Sequence, residues 1–390
     1  MKDIIANENN FLRKILVNFC VNSNLKLRES VAERTVIQIR QNLRELGIEN
    51  PTEFSDKTRN YIETHVKNLI EDGVSDVGKV FSNSQINDIH KYLDKKDVYS
   101  AHVWGFSDKK PIKIKKARKL FPQACYKLDD IFDAPHLLEL AHDPKILGIA
   151  QNYIGAPPTF YSCNLMWSFK EYQDPNVGIA RNFHRDHDNI KYCTLYVFLT
   201  DVKDTHGSHH YMKKTHTISS IDKVVAEGKK NNINFLDREL DILYNLPLEY
   251  LDTIGENLYK DYITEYKGES GHGFVEDPFG YHRGNPPKDN DRLVFWIRYG
   301  IFDSGLSADL TNKKIDIEKY KNRIPNDLYH RYFYRTFFNY GNEDDNEKMK
   351  SVHYQMPNEI EIAIKNLREK YSIKEIDEVL KKRKKIFKIF

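Results

Sequence analysis

The stretch RNFHRDHDN (181–189), running on into IKYCTLYVFLTDV (190–202), decides how this chain is read. His184 and Asp186 stand two positions apart, so on an extended backbone both side chains leave the same face. One imidazole nitrogen and one carboxylate oxygen from a single segment can then meet at one metal ion. Two histidines and one carboxylate gathered on one face of an octahedral metal leave three positions open, enough for a bidentate cosubstrate and O₂.

The third ligand must come from elsewhere, and GYHRGNPP (280–287) offers His282 in a Gly/Pro-rich setting beside a predicted strand. Its distance of 96 positions from Asp186 suits a barrel in which remote strands become neighbours. Ten residues further on, Arg292 opens the run RLVFWIRY. A guanidinium there can grip the distal carboxylate of 2-oxoglutarate with two parallel hydrogen bonds while the keto-acid end chelates iron. Arg298 falls on the same strand face by parity and is a second candidate. Thr194 and Tyr196 share a face of the strand after the motif and could touch 2-oxoglutarate, although core packing explains them equally well. An H-x-D tripeptide alone is common, and a lone histidine is usually structural; the combination with the strand context, the later histidine and the arginine carries the reading.

Working outward, PTFYSCNLMWSF (158–169), IKYCTLYVFLTDV (190–202) and DRLVFWIRYGIF (291–302) are rich in β-branched and aromatic residues between turn formers, and are predicted strands. Residues 1 to about 75 are predicted helical: Phe11, Ile15, Leu16 and Phe19, then Val36, Ile39, Leu43 and Leu46, recur at three- and four-residue steps, with Pro51 as a break. FSNSQINDIHKYL (81–93) predicts a helix with Ser84 as its cap, and PHLLELAHD (135–143) is followed by PKILGIAQNYIG, ending on Gly155 as helices commonly do. Residues 217 to about 266 are charged and helix-prone (DKVVAEGKK, DRELDILYNL) and read as a lid-like insertion. The tail from about 357 looks helical and closes on KKRKKIFKIF, a solvated helix end in preference to a membrane-surface segment.

The chain has 390 residues with 60 basic and 57 acidic, a formal charge of +3 that calls for no nucleic acid or acidic partner. Four cysteines without a C-x-x-C pair read as reduced, mostly buried thiols. MKDIIANENN lacks the basic and apolar regions of a signal peptide, and no run reaches the 18 to 20 or so apolar residues of a membrane span, so a cytoplasmic location is expected. His187, His206, His209, His210 and His216 crowd the same region and are read as surface or turn histidines, with a second metal cluster as the alternative. Trp167 and Trp296 could line a substrate pocket or belong to the core.

The run from LAHDPKILGIAQNYIGAPPTFYSCNLMWS through FHRDHDNIKYCTLYVFLTDV to GFVEDPFGYHRG resembles the phytanoyl-CoA dioxygenase-like family, over about residues 75 to 305. The stretch GSHHYMKKTH (207–216) is similar to a glycine-flanked turn of that family, with Lys214 and Thr215 where Gly and Ser are usual. Gly284 stands where many relatives carry Ser or Thr. The resemblance implies that His184, Asp186 and His282 bind iron and that Arg292 binds 2-oxoglutarate. It implies an α+β fold with a double-stranded β-helix (jelly-roll) core flanked by N-terminal and C-terminal helices. The expected organisation is a helical appendage over 1–75, an oxygenase domain over 76–340 with an insertion at about 217–266, and a helical tail over 341–390. The expected activity is an Fe(II)/2-oxoglutarate-dependent dioxygenase that hydroxylates an unactivated carbon of a small molecule with O₂, releasing succinate and CO₂. Asp186 favours such an oxidation over halogenation, since related halogenases have a small residue there. Desaturation, cyclisation or epimerisation on the same scaffold, and a metal-retaining jelly-roll binding protein without turnover, stay open as alternatives. Substrate identity and oligomeric state are not legible.

Overall fold

The computed structural model describes residues 24–50, 54–101, 110–170, 182–233, 240, 243–244, 259–302 and 315–340. In chain order its elements are α1 (Leu25–Glu45), α2 (Asp56–Asp72), β1 (Val74–Lys79), α3 (Asn83–Leu93), β2 (Tyr99–Ser100), α4 (Ile114–Leu120), β3 (Gln123–Cys125), α5 (Leu128–Asp133), α6 (Leu137–Ala141), α7 (Pro144–Ile154), β4 (Thr159–Ser168), β5 (Tyr192–Phe198), β6 (His209–Met212), α8 (Ile218–Lys230), β7 (Ile263–Tyr266), β8 (His272–Glu276), β9 (His282–Gly284), β10 (Arg292–Gly300), β11 (Ile315–Asp316), α9 (Leu328–Phe333) and β12 (Phe338–Asn339). The three long predicted strands are β4, β5 and β10.

Seven strands form an antiparallel sheet in the order β1-β8-β5-β10-β4-β3-β2, and three form a second one, β7-β6-β9. Alternation sorts the two faces of the large sheet. Cys193, Leu195 and Val197 of β5 and Leu293, Phe295, Ile297 and Tyr299 of β10 enter the main hydrophobic core, which also holds Phe132, Leu138, Ile149 and Tyr153 from the helices. On the other face Phe198, Phe274 and Val294 form a smaller core with Tyr211 and Tyr266 of the small sheet. The Tyr266 and Phe274 rings stack at 4.4 Å, so the two sheets lie face to face. Burying one such large side chain contributes about 1.5–3 kcal/mol. A one-residue slip of β5 would turn Thr194 and Tyr196 into the helix-side core, so the register is firmly specified.

That register lines up two rows across the inner face. Ser162, Arg298, Thr194 and Glu276 are mutual neighbours on β4, β10, β5 and β8, and Asn164, Trp296, Tyr196 and Phe274 form the next row. The large sheet therefore offers the space between the sheets one polar band and one aromatic band.

The helices follow local chemistry, with one difference from expectation. The cap of α3 is Ser82, not Ser84: Ser82 and Gln85 satisfy each other's backbone N–H groups reciprocally. Gly155 ends α7 in the left-handed region (φ 88°), as its sequence predicts. α1 buries Ile39 and Leu43, and α2 packs on α7 and β1. From α1 the buried Arg28 donates to the carbonyls of Ile190 (3.2 Å) and His216 (3.1 Å) and stacks on Phe279. The N-terminal helices are thus fastened to the loops that carry the motif. α8 lies where the insertion was expected, but Ile263–Tyr266 at its end is β7, paired with β6.

The expected helix at Phe11–Phe19, Cys20, Pro51, most of DRELDILYNL and the tail from 341 lie outside the described residues. Cys125, Cys163 and Cys193 are buried. Among the described residues no helix is long and apolar enough to cross a membrane.

Candidate metal centre

The H-x-D segment is not itself a strand; it rides on the edge of the small sheet. His184 and His282 exchange both backbone hydrogen bonds at 3.0 Å, and the Asp186 N–H donates to the Pro278 carbonyl at 2.9 Å. The Tyr192 hydroxyl holds the Asp186 carbonyl at 2.8 Å. This extended course separates alternate residues, as the spacing predicts. Arg185 points away, stacked on Tyr281 and donating to the Thr215 and Leu243 carbonyls. His184 and Asp186 point together toward His282.

The three side chains converge. One ligand atom from each of His184, Asp186 and His282 lies within 4.8 Å of the others, and this is the one such group among the described residues. Nε2 of His184 is 3.7 Å from Oδ1 of Asp186, and Nε2 of His282 is 3.7 Å from Oδ2. Each histidine spends its Nδ1–H on a carbonyl two residues back: His184 on Asn182 and His282 on Gly280, both at 2.9 Å. That fixes the ring orientations and turns both Nε2 atoms toward the carboxylate, which is the arrangement a metal ion requires.

Electrostatics set the three apart. Burial, helped by the charge on His282, pushes the His184 imidazole down to about 4. Burial would also depress His282, but Glu276 and Asp186 outweigh it and raise it to about 9. Burial opposes ionisation of Asp186, yet Arg298 and then His282 hold it well below the usual carboxylate range.

Arg292 opens β10 on the inner face. It is buried, and burial lowers its guanidinium to about 10. It donates to the Gly207 carbonyl and, at 3.4 Å, to the Ser168 hydroxyl, and it has no carboxylate partner among the described residues. Its charge is felt at Tyr196 and His209, which line the same inter-sheet space. Arg298, the second candidate, is differently committed: it bonds Asp186 and pairs with Asp188, so it is not free for a cosubstrate. Thr194 is fully buried, its hydroxyl without a hydrogen-bond partner among the described residues, and Tyr196 is half-buried and stacked on Phe274. Trp296 lies on the inner face beside Arg298, whereas Trp167 faces the other way, bonded to Tyr126.

Of the five neighbouring histidines expected at the surface or in turns, His187, His206, His209 and His216 are buried, His206 and His216 at bends of the chain, and His210 is half-buried. Packing of the two sheets encloses a segment that looks like loop in sequence. His209 stacks near-parallel on His282 at 5.7 Å and donates Nε2–H to Glu276 at 2.8 Å. Glu276 and Asp188 escaped the sequence reading. For Asp188 a signal exists, because it shares the parity of His184 and Asp186. For Glu276 it is weaker: a carboxylate closing the short apolar run GFVE, six residues before His282.

No family model matches the chain, and no curated protein does. Solved structures do match. The epimerase SnoN from nogalamycin biosynthesis, in complex with Fe3+, alpha ketoglutarate and nogalamycin RO, is 14% identical with a TM-score of 0.39, over 62% of this chain and 84% of that one. AviO1 from Streptomyces viridochromogenes Tue57 is 14% identical with a TM-score of 0.37, over 62% and 96%. HygX from Streptomyces hygroscopicus, with nickel, 2-oxoglutarate and hygromycin B bound, is 15% identical with a TM-score of 0.38, over 61% and 86%. These likenesses are weak in identity and in superposition alike.

Proposed function

We propose that this protein is an Fe(II)- and 2-oxoglutarate-dependent oxygenase of the phytanoyl-CoA dioxygenase-like type, its two facing sheets being the halves of a double-stranded β-helix. The observation that carries the reading is Arg292, a buried guanidinium without a carboxylate partner among the described residues, on the inner sheet face where its charge is felt at Tyr196 and at His209, the ring stacked on His282. A buried cation left uncompensated costs several kcal/mol, which a carboxylate ligand would offset.

The residues fit both groups. His184, Asp186 and His282 would hold the metal through two oriented Nε2 atoms and one carboxylate. Arg292 would take the distal carboxylate of 2-oxoglutarate, with the hydroxyls of Thr194 and Tyr196 on the same inner face as further contacts. Bound together, Fe(II) and 2-oxoglutarate supply oxidation of an unactivated C–H bond by O₂ to an alcohol, with succinate and CO₂ released. The chain's own part is to fix the ligand set, anchor the cosubstrate at its far end and exclude water with the Tyr196, Phe274 and Tyr266 stack.

Anaerobic titration of the metal-free protein with Fe(II) and then 2-oxoglutarate tests this. A weak visible charge-transfer band on adding 2-oxoglutarate is expected, followed by O₂-dependent succinate formation. Iron uptake without the band would remove the cosubstrate from the proposal.

A further inference from the structure

Asp188 is the third residue of the motif on the face that carries His184 and Asp186, and it is almost wholly buried. Its ion-pair partner is Arg298, which reaches in from β10, lies 4.7 Å from the centre of the Trp296 ring, and holds Oδ2 of Asp186 with its other arm. Oδ1 of Asp186, on the His184 side, accepts no hydrogen bond among the described residues. A planar guanidinium suits this double duty, since its fork can serve two carboxylates at once where an ammonium is a point charge.

We propose that Arg298, with its charge cancelled by Asp188, is a positioning residue that occupies Oδ2 of Asp186 and leaves Oδ1 alone to bind a metal. This rests on the reading of His184, Asp186 and His282 as a metal site. The charge balance explains why the clamp is a pair. A lone buried guanidinium beside the centre would repel a divalent cation, whereas Arg298 and Asp188 together add no net charge and leave Asp186 its own. Single-oxygen binding keeps one more coordination position open than a chelating carboxylate would, and the site needs its remaining positions for a bidentate ligand and O₂.

The probe is Co(II), titrated into metal-free protein by equilibrium dialysis, with thermal melts confirming that each variant is folded. The double variant Arg298→Met/Asp188→Asn removes the clamp without leaving a buried charge. It should bind Co(II) about 10- to 100-fold more weakly than wild type, the usual cost of losing a partner that orients a ligand. Arg298→Lys keeps Asp188 paired but cannot span both carboxylates, and should also bind more weakly. Infrared difference spectra with ¹³C-labelled aspartate read the binding mode directly. Wild type should show the wide carboxylate splitting of single-oxygen coordination, and Arg298→Lys the narrower splitting of a chelating one. If the double variant fails to fold, Arg298→Lys carries the test alone. Wild-type affinity and an unchanged splitting in the variants would overturn the clamp while leaving the metal site standing. A wild-type protein that takes up no Co(II) would overturn both.

Discussion

The carboxylate of Glu276 and the imidazole of His209 are hydrogen-bonded in the interior at 2.8 Å, and the second Glu276 oxygen lies 4.0 Å from Nδ1 of His282. A wholly buried negative group thus stands behind one of the three proposed ligands. Burial works against a charged imidazole at His282, and Glu276 heads the causes that nevertheless raise it to about 9. In the metal-free protein at neutral pH, His282 is therefore protonated, and a metal must displace that proton to reach Nε2.

Metal uptake should accordingly release a proton, and Co(II) affinity should climb by about tenfold per pH unit between pH 7 and the His282 value near 9, then level off. The folded value lies above the ordinary 6.5, so this group's contribution to metal-free stability is complete below pH 6.5 and is lost as pH rises through about 9. Glu276→Gln removes the leading upward cause and should flatten both slopes. Calorimetry in two buffers of different ionisation enthalpy measures the proton count, and an unchanged count in Glu276→Gln would exclude Glu276 as the cause.

Arg292→Met should separate the two halves of the proposed site. Losing one partner of a buried charged contact costs about 2–5 kcal/mol of binding, so 2-oxoglutarate affinity should collapse while Co(II) affinity holds. The ligand-free variant should melt higher than wild type, because the replaced cation is buried with no carboxylate partner among the described residues. Undiminished 2-oxoglutarate binding would remove Arg292 from the cosubstrate site.

The parts of this centre that were legible in the sequence depend on short-range geometry. The convergence of His184 and Asp186 needed only a two-residue spacing on extended backbone, and the inner-face place of Arg292 only the start of a strand. The long strands announced themselves through β-branched and aromatic runs, whereas β7 (ITEY) is short, polar and half-exposed, and its pairing with β6 supplied the signal that composition lacked. Arg298 shares its face with Arg292, and parity cannot tell them apart. Only the placement of β10 beside β5 and the H-x-D segment gives Arg298 to Asp186 and Asp188. Likewise His209 and Glu276 lie 67 positions apart and meet only because two sheets face each other. At α3 both Ser82 and Ser84 are good caps, and Gln85 at the third helical position decides between them.

Arg28 makes the N-terminal helix part of the body. Its guanidinium serves the carbonyls of Ile190 and His216, one in the segment leading into β5 and the other just before α8. Arg28→Met should orphan both and cost about 2–4 kcal/mol of stability. The loss should appear as a lower urea midpoint with little change in Co(II) affinity per folded molecule. A midpoint within experimental scatter of wild type would mean that α1 is only loosely attached.

Gly280 joins the packing between the sheets to the orientation of a proposed ligand. Its carbonyl accepts the Nδ1–H of His282, and a Cβ built on it would overlap the Tyr211 hydroxyl, which itself donates to the Asp277 carbonyl at 2.9 Å. Tyr211 is fully buried and belongs to the inter-sheet core, so it has little room to retreat. Gly280→Ala should therefore cost about 1–3 kcal/mol through overpacking. Because the main chain has to move instead, the carbonyl that fixes the His282 ring orientation moves with it, and Co(II) affinity should fall together with stability. Tyr211→Ala in the same chain removes the overlapping hydroxyl and ring atoms and should restore affinity, at the cost of an inter-sheet cavity and one hydrogen bond to Asp277. If the single variant melts lower but binds Co(II) normally, the Gly280 carbonyl is not what orients His282.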